Sequence, residues 1–176
     1  AKIIDQSPKL KLIQKIGVGV NTIDLDAAQA RGIKVANMPG TNTRAVAEAT
    51  LLLMLAALRR LHVYDQATRR GTGWSLDATS FDSIGELAGR TVGIIGYGAV
   101  ARMLSPMLKA FGAHVIYTSR GKKTDASADW REMPQLLQEA DIVTLHLPLT
   151  AETEGTIDRA AITAMKQGAI IINTAR

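Results

Sequence analysis

The chain has 176 residues and a formal net charge of +5, with 47% hydrophobic but only 4% aromatic residues. It contains no cysteine, which excludes disulfides, thiolate chemistry and cysteine-based metal sites and suits the reducing cytoplasm, where we expect the protein. The basic residues are spread along the chain and few aromatic rings are available to stack on bases, so we expect no nucleic-acid partner.

The sequence predicts neither a membrane segment nor a metal site. The longest apolar stretch, residues 45–58, contains Glu48 and is shorter than a helix that crosses a bilayer. The three histidines are scattered, which argues against a metal centre. His146 ends a predicted strand, and we interpret it as a structural histidine rather than a catalytic base.

The first third of the chain alternates between strand and helix patterns. Residues 11–16 predict a strand, residues 24–31 a helix that stops at Gly32, and residues 33–36 a second strand. A long helix is predicted over residues 44–58, and it is apolar nearly all round, so we expect it to be buried between domains or subunits. An exposed, arginine-rich stretch follows, and residues 71–83 predict an irregular arm.

The remainder predicts a β-α-β-α-β-α-β series, which favours an α/β fold with a Rossmann-type, doubly wound parallel sheet. The predicted strands are residues 91–95, 114–118, 142–145 and 169–173, and the predicted helices are residues 99–111, 134–139 and 158–165.

A glycine-rich turn follows the first of these strands. Gly96, Gly98 and Ala101 give the pattern G-x-G-x-x-A between an apolar strand and a helix. Gly96 permits the tight turn, Gly98 lets a pyrophosphate approach the backbone, and Ala101 keeps helix and strand close. A glycine turn in some other α/β protein is the alternative, but the second strand at the expected distance favours dinucleotide binding.

The end of the second strand indicates which dinucleotide is bound. NAD sites usually carry Asp or Glu there to hold the ribose hydroxyls. Here Ser119, Arg120, Lys122 and Lys123 take that place, and a hydroxyl with cations suits a 2′-phosphate. We therefore expect NADP(H) to be preferred, while NAD(H) use and a merely solvated basic loop stay open.

Five segments together resemble the D-isomer-specific 2-hydroxyacid dehydrogenases, the family of glyoxylate and hydroxypyruvate reductases. The match runs in one register through the glycine-rich loop at residues 17–24, the helix start at 45–48, the nucleotide motif at 91–102, and the stretches 141–150 and 165–176. The resemblance implies hydride transfer between NADP(H) and C2 of a small 2-hydroxy or 2-oxo acid.

The resemblance also implies roles for particular residues. Arg176 would be catalytic, binding the substrate carboxylate and polarising the C2 oxygen, and the N–H groups of Val18 and Gly19 would bind the same carboxylate. The implied cofactor contacts are, in chain order, Gly96, Gly98, Ala99, Val100, Ser119, Arg120, Lys123, Leu147, Pro148, Thr174 and Ala175.

For the organisation of the chain, the resemblance implies a fragment of the family's proteins. Residues 1–43 would form part of a flavodoxin-like substrate domain, and residues 44–176 the interdomain helix and a dinucleotide-binding domain that is incomplete at its carboxyl end. The resemblance also implies a homodimer. The family's acid/base His and its orienting Glu follow the arginine by dozens of residues and are not among residues 1–176. We therefore expect a polypeptide of these residues alone to be inactive.

Two other functions remain open from the sequence. One is a nucleotide-sensing co-repressor, a non-catalytic relative of this family. The other is a hydrolase of the adenosylhomocysteinase type, which holds NAD tightly; Arg120 and the terminal segment of residues 173–176 speak against it.

Overall fold

A computed structural model describes residues 2–75 and 84–175 of the chain. It divides into two compact units, Ala1–Thr43 and Arg44–Arg176. Among the described residues, no helix combines the length and the apolar character needed to cross a membrane.

The first unit is a small parallel α/β unit. Its elements are helix α1 (Lys2–Asp5), strand β1 (Leu12–Gln14), helix α2 (Leu25–Ala30) and strand β2 (Lys34–Ala36). The strands pair in parallel, and the side chains of Ile4, Ala28 and Ile33 form a core beneath them. The carboxylate of Asp24 accepts a hydrogen bond of 2.9 Å from the N–H of Ala27 and so caps α2. The predicted strand–helix–strand order is confirmed, while the four-residue α1 was not predicted.

The second unit contains a five-stranded sheet and its helices. Its helices are α3 (Thr43–Leu58, whose first residue belongs to the first unit), α4 (Leu61–Arg69), α5 (Ala99–Ala110), α6 (Met133–Glu139) and α7 (Arg159–Ala164), with a 3-10 turn at Gly73–Ser75. Its strands are β3 (Thr91–Ile95), β4 (His114–Thr118), β5 (Asp129–Trp130), β6 (Ile142–Leu145) and β7 (Ile170–Asn173).

The sheet is parallel throughout, with the strand order β5-β4-β3-β6-β7. The chain moves outward from β3 in one direction through β4 and β5, then returns to the other side of β3 for β6 and β7. This reversal beside β3 is the topological switch point of a doubly wound sheet. The predicted Rossmann-type α/β fold is confirmed.

The core of this unit lies on both faces of the sheet. Val92 and Ile94 of β3 point into a cluster that contains Met54 of α3 and Leu104 of α5. Ile95 belongs to a second cluster, on the α6 side. Because successive residues of a strand face opposite sides of the sheet, a central strand packs against both clusters. This explains why β3, β4 and β6 carry apolar residues at successive positions.

Besides α1, two elements of the second unit differ from the sequence predictions. Residues 61–69 form helix α4, where we predicted only an exposed stretch, although their apolar and polar residues do separate at a helical period. The two-residue strand β5 is too short to produce a periodic pattern. Within this chain helix α3 buries one stripe, and Leu52 is 60% exposed, so the burial of its remaining faces between domains or subunits stays a prediction. The predicted arm falls partly on residues 76–83, outside the described residues.

Candidate functional site

The carboxyl ends of the four longer strands lie in one row. The register pairs Ile95 with Thr118 on one side and with Leu145 on the other, and Leu145 in turn with Asn173. The segments that follow these strands therefore leave the same edge of the sheet, around the switch point. Ligands of doubly wound sheets bind in the crevice at this edge. The candidate cofactor residues of the second unit, in the four segments after β3, β4, β6 and β7, are brought together there.

The two glycines of the turn after β3 differ in whether the surrounding protein would exclude a side chain at their position. Gly96 has φ of +91°, and a Cβ added to it would lie 2.7 Å from the carbonyl oxygen of His146. Packing within the chain therefore requires glycine at this position. Gly98 has an extended φ of −94°, and a Cβ there would meet nothing within 4 Å. Since the protein itself leaves room for a side chain at Gly98, an open approach to the backbone fits a bound dinucleotide.

Helix α5 begins directly after Gly98 and points its amino end at this edge. Gly98 is the N-cap and supplies no side chain to cap the helix. The first N–H groups of a helix, here those of Ala99 and Val100, have no partner within the helix and attract anions. Ala101 is fully buried against the sheet, which lets the helix lie close to β3. These features suit a pyrophosphate.

The loop after β4 carries the basic residues. Arg120, Lys122 and Lys123 are exposed, and none of them forms an ion pair with any residue in the described part of the chain. Asp125, an acidic residue of the same loop, pairs with Arg102 of α5. The hydrogen bond from Arg102 lowers the pKa of Asp125, which therefore stays ionised and neutralised by its partner. Arg120 and Lys122 are thus available to an anionic ligand, while the charge of Lys123 also helps to lower the pKa of Asp125.

Ser119 has a local partner. Its hydroxyl donates a hydrogen bond of 2.7 Å to the carbonyl oxygen of Gly121. The Ser119 oxygen can still accept a hydrogen bond, but its hydroxyl proton is already donated within the loop. A contact in which Ser119 donates to a phosphate requires this bond to break.

The segment after β6 packs against the glycine turn. His146 donates its backbone N–H to the carbonyl oxygen of Ile95 at 2.8 Å. Its ring Nε2 lies 3.0 Å from the hydroxyl oxygen of Thr144, and burial lowers the pKa of His146 to about 4. The imidazole is therefore neutral at physiological pH, which suits the structural role expected for it. Leu147 borders Gly96, and Pro148 is exposed beside it.

The segment after β7 is held from two sides. The hydroxyl oxygens of Thr174 and Thr50 are 2.9 Å apart, and Thr50 donates to the carbonyl oxygen of Val46 one turn earlier in α3. The N–H of Ala175 donates to the side-chain oxygen of Asn173 at 2.9 Å. The exit from β7 is thereby fixed against helix α3.

The first unit holds the other candidate substrate residues. Val18 and Gly19 follow β1, and the side-chain amide of Asn37 donates to the carbonyl oxygen of Val18 at 2.8 Å. Within residues 2–75 and 84–175, neither the N–H of Val18 nor that of Gly19 donates a hydrogen bond. Both donors are thus open to a carboxylate. Arg176 lies outside the described residues.

The sequence interpretation missed three residues near this edge, Tyr97, Tyr117 and Thr50. Tyr97 occupies the variable position between the two glycines, and Tyr117 lies in β4; their rings pack 4.2 Å apart between centroids. No local pattern shows that the side chain of Tyr97 turns inward. Thr50 did leave a signal, since it is a hydroxyl residue in an otherwise apolar helix.

Comparison with known proteins identifies the family. Residues 51–176 match the sequence model of the D-isomer specific 2-hydroxyacid dehydrogenase NAD binding domain. A glyoxylate reductase of Aeropyrum pernix is 39% identical over 181 residues, which cover 99% of this chain and 54% of the relative. A D-3-phosphoglycerate dehydrogenase of Mycobacterium bovis is 38% identical over 180 residues, which cover 100% of this chain and 33% of the relative.

A solved structure agrees with these sequence matches. The crystal structure of D-lactate dehydrogenase from Aquifex aeolicus, complexed with NAD and lactic acid, superposes with a TM-score of 0.89. That protein is 32% identical, and the match covers 99% of this chain and 53% of the other. The chain thus spans between a third and just over half of the relatives described here.

The comparisons do not favour the co-repressor or the adenosylhomocysteinase-like hydrolase. A match to an NAD-binding domain is consistent with the glycine turn at the switch point and with the row of strand ends around it. The chain belongs to the D-isomer specific 2-hydroxyacid dehydrogenases and contains the NAD-binding domain of that family.

Proposed function

We propose that the full-length protein transfers a hydride between NADP(H) and C2 of a small 2-hydroxy or 2-oxo acid. It acts as a D-2-hydroxyacid dehydrogenase that reduces glyoxylate or hydroxypyruvate. The observation that carries the cofactor choice is the basic loop after β4, whose three cations form no ion pair with the described residues. A 2′-phosphate is the part of NADP(H) that such a loop would bind.

The bound cofactor lies along the carboxyl edge of the sheet. Its pyrophosphate contacts Gly96, Gly98 and the N–H groups of Ala99 and Val100 at the start of α5. Arg120 binds the 2′-phosphate with charge-assisted hydrogen bonds. The remaining contacts are Ser119 and Lys123 at the 2′-phosphate, Leu147 and Pro148 at the adenosine half, and Thr174 and Ala175 at the nicotinamide half.

The substrate is an acid, and its carboxylate needs cationic and N–H donors. Arg176 binds it through a two-pronged guanidinium contact, and the N–H groups of Val18 and Gly19 supply further hydrogen bonds. In this proposal residues 1–43 form part of the substrate domain and residues 44–176 the cofactor domain. When it is bound, the nicotinamide supplies or accepts the hydride, while these residues orient the acid.

Steady-state kinetics of the full-length protein test the cofactor choice. We expect a higher kcat/KM with NADPH than with NADH, with glyoxylate or hydroxypyruvate as substrate. Arg120→Ala should raise the KM for NADPH about tenfold or more, since a hydrogen bond to a charged group is lost, and leave the KM for NADH nearly unchanged. Lys109→Ala, on the last turn of α5, removes one positive charge elsewhere and is the matched control. A preference for NADH would refute the NADP(H) assignment.

The proposal includes a homodimer. Leu52 and Leu53 of α3 are 60% and 44% exposed, and Leu61 of α4 is 53% exposed. Leu53 and Leu61, with Ala56 and Ile171, border an open cavity of about 670 Å³, and Leu52 is the exposed neighbour of Leu53 on the same helix. Exposed apolar patches of this kind typically mark interfaces. Light scattering on the full-length protein should give a dimer, which Leu52→Asp weakens and Phe111→Asp, at an exposed residue after α5, does not. A monomeric full-length protein would contradict this part.

A cytoplasmic location also belongs to the proposal. A chain without cysteine suits a reducing compartment. Cell fractionation, with the activity assayed in each fraction, tests this location; recovery of the activity outside the cytoplasmic fraction would contradict it.

A further inference from the structure

Two tyrosines connect the glycine turn to the basic loop of residues 119–127. Tyr97, between Gly96 and Gly98, is only 5% exposed, and Tyr117 of β4 is fully buried. Their rings pack at 4.2 Å between centroids, tilted by 38°. The residue between the two glycines therefore points into the core rather than toward a ligand.

Each tyrosine hydroxyl holds a backbone group of the loop. The hydroxyl of Tyr117 accepts a hydrogen bond of 2.7 Å from the N–H of Lys123 and donates a longer one, 3.4 Å, to the carbonyl oxygen of the same residue. The hydroxyl of Tyr97 accepts the N–H of Ser127 at 3.2 Å and donates to the hydroxyl of Ser105 at 3.1 Å. Ser105 donates in turn to the carbonyl oxygen of Ala101, so the network ends on helix α5.

An ion pair supplies a third attachment. The guanidinium of Arg102 pairs with the carboxylate of Asp125 and lies 5.6 Å from the centre of the Tyr97 ring. The loop is thus attached at residues 123, 125 and 127, while Arg120 and Lys122 stay exposed. Exposed loops lose conformational entropy when a ligand orders them, and attachments made beforehand reduce that loss.

We propose that Tyr117 and Tyr97 are positioning residues that fix the basic loop before the cofactor binds. Tyr117, through its bond to the backbone of Lys123, sets how strongly the site distinguishes a 2′-phosphorylated dinucleotide from an unphosphorylated one. The inference rests on the proposed use of NADP(H), because the position of these cations changes cofactor affinity only if the cofactor carries a 2′-phosphate. Neither tyrosine is assigned a contact with the cofactor.

The first test compares binding of two cofactors to the full-length protein. Dissociation constants for NADPH and NADH are measured from the change in nicotinamide fluorescence on binding. Tyr117→Phe keeps the ring but leaves the N–H of Lys123 without its partner. We expect it to weaken NADPH binding about three- to tenfold, the effect of one hydrogen bond, and NADH binding less than about twofold. Tyr64→Phe, which removes a tyrosine hydroxyl on α4, is the matched control.

A double-mutant cycle separates positioning from general stability. In an Arg120→Ala/Lys122→Ala/Lys123→Ala background, the backbone bond of Tyr117 remains but all three cationic side chains of the loop are gone. Tyr117→Phe should then have no further effect on NADPH binding, since interacting residues are not additive. Equal weakening of NADPH and NADH by Tyr117→Phe, or an undiminished effect in this background, would overturn the inference.

Hydrogen exchange keeps the inference testable even if Tyr117→Phe does not fold. In the cofactor-free wild type, the amides of Lys123 and Ser127 should exchange more slowly than those of Gly121 and Lys122, because they are bonded to tyrosine hydroxyls. Equal, fast exchange along the whole loop would contradict a loop fixed in advance. The proposed cofactor is judged separately, since it depends on which dinucleotide the wild type binds more tightly.

Discussion

At the scale of single residues, two glycines two positions apart illustrate different constraints. Gly96 is required by the chain itself, because its φ of +91° and the carbonyl oxygen of His146 leave no room for a Cβ. Gly98 is not required by any neighbour, since a Cβ there would meet no atom within 4 Å. A motif that reads as one pattern in the sequence thus combines a folding constraint with a ligand constraint.

Substitution by alanine should separate these constraints. We expect Gly96→Ala to destabilise the protein by at least about 2 kcal/mol, because backbone strain and a steric clash add. Gly98→Ala should leave the unfolding midpoint in urea within error and weaken binding of NADPH, since its Cβ points toward the cofactor edge. Urea denaturation and a fluorescence titration of the full-length variants measure the two effects. Equal losses of stability in both variants would refute the distinction.

His146 makes stability depend on pH. Its pKa is about 4 in the folded protein, against 6.5 for an ordinary histidine. Between these values the unfolded chain binds a proton that the folded chain does not, so stability falls as the pH decreases from 6.5 to 4. The full effect is about 3 kcal/mol at 1.36 kcal/mol per pKa unit.

The variant His146→Asn cannot take up this proton. Its free energy of unfolding in urea should therefore decline less between pH 7 and pH 4 than that of the wild type. Carboxylates contribute equally to both proteins, so the difference between the curves isolates the histidine. Parallel curves would show that His146 is protonated in the folded state as readily as in the unfolded state.

At the scale of elements, Asp141 joins three strands at the amino edge of the sheet. Its carboxylate accepts a hydrogen bond of 2.8 Å from the N–H of Thr91, where β3 begins. Its backbone N–H donates to the carbonyl oxygen of Thr91, and its carbonyl oxygen accepts from the N–H of Ile170. Lys166 donates to the other carboxylate oxygen at 2.9 Å. Burial, the largest effect, raises the pKa of Asp141, but the hydrogen bonds from Thr91 and Lys166 outweigh it and lower the pKa overall.

Removing this carboxylate should cost stability. Asp141→Ala leaves the N–H of Thr91 without its partner, and we expect a loss of about 1–3 kcal/mol in the free energy of unfolding. Lys166→Ala, the control, should cost less than about 1 kcal/mol because its ammonium is largely solvated. Because the pKa of Asp141 is lowered, its contribution is present at neutral pH and is lost as the carboxylate protonates in acid. Equal losses from both substitutions at pH 7 would contradict this ranking.

At the scale of the whole molecule, the described part of the second unit gathers the candidate cofactor residues at the carboxyl edge of the sheet, and the histidine at that edge is not suited to donating a proton. Of the three histidines, His146 follows β6 at the carboxyl edge of the sheet. With its pKa near 4, it is unprotonated at neutral pH and is a poor proton donor. Hydride transfer to a ketone needs such a donor beside the carbonyl.

We therefore expect a polypeptide of residues 1–176 to bind NADPH without reducing ketoacids. Fluorescence titration should detect binding, while the oxidation of NADPH in the presence of glyoxylate stays at background. The full-length protein, assayed in parallel, should reduce the acid. Turnover by the shorter polypeptide at a rate near that of the full-length protein would show that its own residues supply the proton.

The sequence alone was enough for the central sheet. Strands β3, β4 and β6 were predicted with the bounds observed, because each is a short, mostly apolar run beside a glycine turn or a helix with a clear period. The dinucleotide motif was found for the same reason, since its glycines, strand and helix are neighbours in the chain. The two-residue β5 gave no such local signal, whereas α4 has a helical period that the sequence interpretation overlooked.

What the tertiary structure decided depends on contacts between distant parts of the chain. Only the sheet register places the ends of β3, β4, β6 and β7 in one row, and only the packing shows that Tyr97 turns inward to hold Ser127, thirty positions away. The exposed leucines of α3 also show this limit of the sequence. An apolar pattern predicts that a side chain is buried, but it does not identify the surface that covers the side chain. The sequence determined the cofactor motif through local patterns, and the fold determined how its loop is held.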